Sequence, residues 1–180
     1  VAVMCAALGF GVMNLLMAAT PIAMQHHHHE FRHTALVLEW HVLGMFVPSF
    51  FTGHLIKRFG VVKVLWAGVA LNLGCIAVAL SGVDLMQFLI ALLLLGVGWN
   101  FLYVGGTTLF TEAYRPEERT TAQAAMDFWV MSTMAVTSFA SGALITSQGW
   151  TWLNWGSLLP VALVAGGIVW LTAQRRVAAA

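Results

Sequence analysis

Charge is the scarcest thing in this sequence. Lys, Arg, Asp and Glu make up 8% of its 180 residues, against roughly 25% in an ordinary soluble domain. So few charges cannot clothe a globule in water. A soluble enzyme and a disordered tail are excluded on that ground. The net charge of +1 offers no basic patch for nucleic acid. Cysteine is nearly absent as well. Cys5 and Cys75 lie inside apolar runs, with no CxxC partner, which excludes a disulfide framework. No phosphate-cradling loop, no Ser/His/Asp set and no HExxH occurs, so neither an ATP-driven pump nor an enzyme is expected and no cofactor is implied. The chain opens at Val1, already inside an apolar stretch. It has no initiator Met, charged n-region or cleavage site. That is not a signal peptide, and it reads as part of something longer.

What is there is hydrophobic: 60% of the residues are apolar. Six apolar segments stand out, roughly 3–24, 35–56, 61–81, 86–111, 120–146 and 152–172. Each is long enough for a hydrocarbon core of ~30 Å, which takes ~20 residues of helix. In lipid the backbone must satisfy itself, which favours helices. No ten-residue alternating segments suggest a barrel. The expected fold class is therefore an all-α membrane protein of six transmembrane helices.

The few charges mark the cuts between spans. Apart from Lys63, at the very start of the third, only Glu39 and Asp127 fall inside them. Lys57, Arg58, Lys63, Arg115, Arg119, Arg175 and Arg176 share one side, and Arg32 stands alone on the other. By the excess of Lys and Arg in cytoplasmic loops, the C-terminus is cytoplasmic and the His26–His29 loop is external. Pro116 with Glu117 and Glu118 reads as a helix start, because proline suits the first helical position and acids suit the positive end of the dipole.

The chain also repeats itself. Ser49-Phe50-Phe51-Thr52-Gly53-His54-Leu55-Ile56 matches Ser138-Phe139-Ala140-Ser141-Gly142-Ala143-Leu144-Ile145. At the same spacing of 89, Trp40 meets Trp129, Met45 meets Met134, Gly60 meets Gly149 and Trp66 meets Trp155. The first and fourth spans match at a spacing of 87, with Leu8, Gly9, Gly11, Leu15 and Thr20 on Leu95, Gly96, Gly98, Leu102 and Thr107. Two three-helix units, about 1–82 and 83–180, are expected. Three is odd, so the second enters the membrane from the opposite side. Inverted three-plus-three repeats are a device of secondary transporters, with solute bound near the midplane.

Gly53-His54-Leu55-Ile56-Lys57-Arg58-Phe59-Gly60, followed by Lys63, resembles the signature loop of the major facilitator superfamily. Gly53, Arg58, Gly60 and Lys63 occupy its glycine and basic positions, and Lys57 stands where the family has aspartate. The Arg115-Pro116-Glu117-Glu118-Arg119 loop, with Ala122 after it, is similar to the family's loop after the fourth helix of a half. The likeness covers the whole chain and implies the second, C-terminal half of a twelve-helix transporter, helices seven to twelve. Its implied partners are the missing N-terminal six-helix half, the lipid bilayer, a small solute and protons. It also implies that the first, second, fourth and fifth spans line a cavity in the cytoplasmic membrane.

The polar residues of those spans are the candidate cavity set: Asn14, Thr20, His41, Asn100, Tyr103, Thr107 and Gln123. Polar side chains within spans also join helices, so a structural role competes with a solute-binding one. Pro21 is expected to kink the first span. Ionisable groups inside a membrane default to functional candidates, which singles out Asp127, and after it Glu39, for proton coupling. Glu39 and His41 are two residues apart and should point to nearly opposite faces. His26, His27, His28 and His29 form an external run. It reads as a solvated loop, with weak metal binding as the alternative. A six-helix metal-handling membrane protein using that loop is accordingly the second functional expectation.

Overall fold

In the computed structural model, which describes residues 1–178, those residues form seven α-helices and one short 3-10 turn, with no strand among them. The helices are α1 (Ala2–His26), α2 (Phe31–Phe46), α3 (Ser49–Phe59), α4 (Val61–Ser81), α5 (Leu85–Phe110), α6 (Arg119–Ser147) and α7 (Gly149–Ala178), with the turn at Pro116–Glu118 before α6. Five are individually long and apolar enough to span a membrane, and α2 with α3 makes a sixth, broken span. The protein is an all-α membrane protein.

Two features differ from expectation, and both involve proline. The second span is not one helix over 35–56. It runs from Phe31 to Phe59 and bends by 42° between α2 and α3. Pro48 has no N–H to return to the preceding turn, and the ladder stops at Phe46. Pro21, expected to kink the first span, lies instead inside an unbroken α1. Pro116 does open a helix. The Arg115 N–H donates to the Glu118 carboxylate at 3.3 Å, which closes the first turn before α6.

The junction glycines carry the sharpest turns. Gly60 ends α3 with φ +88° and Gly149 opens α7 with φ +79°. That region suits glycine because it has no Cβ. In both places a Cβ would meet nothing within 4 Å, so backbone sterics alone make the demand.

α5 is the hub, packed against α1, α2 and α4. Close approach requires small residues there. A Cβ on Gly96 would lie 2.5 Å from the His41 carbonyl oxygen of α2, and one on Gly106 would lie 3.0 Å from the Ala2 carbonyl and the Ala6 nitrogen of α1. Lipid tails give little drive for helix association, so such backbone contact carries much of the cohesion. Leu92, Leu95 and Leu102 of α5 are accordingly enclosed. α2, α3 and α6 lie at the edges and leave Phe46, Phe50, Phe128, Trp129 and Phe139 exposed.

Candidate functional site

The polar residues of the spans gather into two joints and one aromatic step. The first joint fastens α5 to the broken span. The Asn100 amide donates to the Met45 carbonyl at 2.8 Å and to the Ser49 hydroxyl at 2.6 Å. Its carbonyl oxygen lies 2.7 Å from the Thr52 hydroxyl. That hydroxyl also lies 2.7 Å from the Pro48 carbonyl, and it has one hydrogen for the two. Asn100 thus takes over backbone and side-chain groups at the bend that Pro48 creates.

The second joint fastens α1 to α6. The Asn14 amide lies 3.1 Å from the Met134 carbonyl, 3.0 Å from the Thr137 hydroxyl and 2.8 Å from the Ser138 hydroxyl. Ser141 adds a bond to the Leu15 carbonyl at 2.8 Å.

Two further cavity candidates are also turned inward. The Thr20 hydroxyl donates to the Leu16 carbonyl of its own helix at 2.7 Å, and the residue is fully enclosed. His41 is fully enclosed as well. Its Nδ1 lies 2.7 Å from the Leu92 carbonyl. A carbonyl only accepts, so Nδ1 carries the hydrogen in this contact. Nε2 is buried without a partner among the described residues. His41 and Asn100 therefore face neighbouring helices, where their polar groups meet backbone carbonyls, while Thr20 is bonded back to its own helix. Glu39 is exposed while His41 is enclosed, so they point apart.

Tyr103, Thr107 and Gln123 are half-exposed. The Thr107 hydroxyl donates to Val104 at 3.0 Å, and the Gln123 amide donates to the Tyr114 hydroxyl at 2.8 Å, beside the loop before α6. Tyr103 belongs to the aromatic step. Its ring stacks on Trp99 with centroids 5.2 Å apart and planes 13° apart. Phe10 of α1 meets both rings edge-on, at 5.6 Å from Trp99 and 5.9 Å from Tyr103. Asp127 is exposed on α6. Phe10 and Trp99 escaped the sequence reading. The one available signal was the aromatic pair Trp99 and Tyr103, one helical turn apart.

The loops hold the remaining candidates. Gly53, Arg58, Gly60 and Lys63 lie at the exposed α3–α4 junction. Arg58 sits in the last turn of α3, where a cation suits the dipole, and stacks 5.2 Å above the Phe59 ring. At the same end Arg175 pairs with Glu112. Glu39 shares an outer recess with Arg32 and His33. His29 is tied to the Val83 carbonyl at 2.8 Å and rests against Phe88. His26, His27 and His28 are exposed. Among the described residues no three His, Cys, Asp or Glu side chains converge on a point that could hold a metal.

Comparison with known proteins gives a consistent result. The family model described as Major Facilitator Superfamily matches residues 1–180. A riboflavin transporter of Brucella anthropi is 46% identical over 155 residues, covering 86% of this chain and 39% of that protein. Two uncharacterized MFS-type transporters of Bacillus subtilis are 30% and 32% identical, each over 88% of this chain and 37% of their own length. The chain thus spans under two-fifths of the length of these curated relatives. No solved structure matches it. A match along its whole length, together with six spans of membrane-crossing length and composition, means that the chain belongs to the major facilitator superfamily.

Proposed function

We propose that this chain is the C-terminal six-helix half of a secondary transporter, and that the transporter carries riboflavin or a closely similar solute. One observation carries the reading: 46% identity to a riboflavin transporter over 86% of the chain. The partner is an N-terminal six-helix half, and solute moves across the cytoplasmic membrane by alternating access. The chain's two units, about 1–82 and 83–180, are inverted relative to one another. The left-handed glycines Gly60 and Gly149, 89 residues apart, support that arrangement. Seven of eight Lys and Arg residues on one side support a cytoplasmic C-terminus.

Transport is coupled to protons, and Asp127 is the first residue to test. An acid exposed within a span is the natural candidate to exchange protons with a water-filled path. Glu39 is the second. The test is uptake of labelled riboflavin by transport-deficient cells expressing the full-length protein. Saturable uptake that a protonophore abolishes is expected. Asp127→Asn should lower it about tenfold or more at neutral pH, since asparagine cannot take up or release the proton. Absence of uptake from protein that reaches the membrane would overturn the solute. Uptake indifferent to the protonophore would overturn the coupling.

A further inference from the structure

The aromatic step points to a subsite for the flat part of the solute. We propose that Phe10, Trp99 and Tyr103 form a stacking platform that binds a fused, planar, nitrogen-containing ring system. This deepens the reading above and rests on it.

Four features support the platform. Trp99 and Tyr103 are nearly coplanar in a stack, so a third flat ring continues an existing arrangement. Phe10 braces both rings edge-on, the geometry that the ring quadrupole favours. The step is backed by tight packing, since Phe10 and Tyr103 rest on the enclosed Ala6, Ala7, Met126 and Val130. It is therefore preorganised, and a ring can bind it at little cost in side-chain freedom. Tyr103 and Phe10 are only half-buried, whereas Trp99 is 7% exposed, so Tyr103 presents the accessible face.

An aliphatic solute would forfeit the stacking. The joints at Asn14 and Asn100 are already occupied by helix–helix bonds, so they do not compete for the ring.

The test is binding to the full-length protein in lipid nanodiscs. Riboflavin is compared with lumichrome, which keeps the flat tricycle without the polyol chain, and with ribitol, which is close to the chain alone. Lumichrome should bind and ribitol should not. Tyr103→Leu should raise the Kd for both ring compounds about tenfold, while Tyr103→Phe stays within about twofold, since stacking on an aromatic ring carries the contact. Should Tyr103→Leu fail to fold, Phe10→Leu should still weaken both by roughly threefold through loss of the brace. An unchanged Kd in Tyr103→Leu, or binding by ribitol and not by lumichrome, overturns the platform and leaves the transport reading standing. Lumichrome bound through Tyr103 with no riboflavin binding keeps the platform and overturns riboflavin as the solute. If neither ring binds, both fall.

Discussion

Asn14 and Asn100 make matching contacts with opposite partners. Asn14 reaches from α1 to the Met134 carbonyl and the Ser138 hydroxyl of α6. Asn100 reaches from α5 to the Met45 carbonyl of α2 and the Ser49 hydroxyl of α3. Met45 and Met134 are 89 residues apart, and so are Ser49 and Ser138. Thr52 and Ser141 stand at that spacing too, each bonding back to the helix that carries the asparagine. The joints differ at one central position. Pro48 breaks its span, whereas Thr137 continues α6 and bonds to its own preceding turn. One clamp thus holds a bent span and the other holds a straight one. Burial differs with it, since Asn100 is enclosed and Asn14 is 9% exposed. The comparison teaches that the clamp does not cause the bend. It makes a bend tolerable by supplying partners to groups that the proline releases.

The hardest blow to that comparison is to give the straight joint a proline. Thr137→Pro should destabilise the protein by about 3 kcal/mol, the usual cost inside a helix, measured by unfolding in mixed micelles. A cost below about 1 kcal/mol would mean that Asn14 can carry a break as Asn100 does. Next comes removal of the clamp at the bent joint. Asn100→Leu should cost about 2 kcal/mol, summing several interhelical bonds of modest individual strength. Asn14→Leu should cost less, because Thr137 keeps its bond to the Thr133 carbonyl and Asn14 is less completely enclosed than Asn100. Equal losses would erase the distinction drawn from burial. The mildest test compares Ser49→Ala with Ser138→Ala. Each should cost about 0.5 kcal/mol, and agreement between them would show that the hydroxyl does the same work in both settings.

The six spans were legible because hydropathy is local. The bend was not, because the apolar run continues through Val47 and Pro48 without interruption. Proline alone is an unreliable sign, since Pro21 and Pro160 both lie inside continuous helices. Whether a break is tolerated depends on partners from a neighbouring helix, as at Asn100, which is a tertiary fact. The pairing of the two asparagines was hidden for a different reason. The first and fourth spans align at 87, but Asn14 and Asn100 are 86 apart, so a one-residue slip separates them in sequence. The aromatic step was half legible. Tyr103 lay on a polar stripe, but Phe10 lies 93 residues from it, and only packing of α1 on α5 brings them together. Thr20 and His41 were singled out by polarity, which shows in a sequence, whereas their enclosure does not.

The left-handed turns at Gly60 and Gly149 have a consequence for how the protein would respond to different bilayers. Their conformation is enforced by the peptide chain itself, with no neighbouring atom to relax. The penalty for placing any other residue there is intrinsic to the chain. It should follow the protein unchanged from thick membranes to thin ones, and from detergent to lipid, while helix packing adjusts to each.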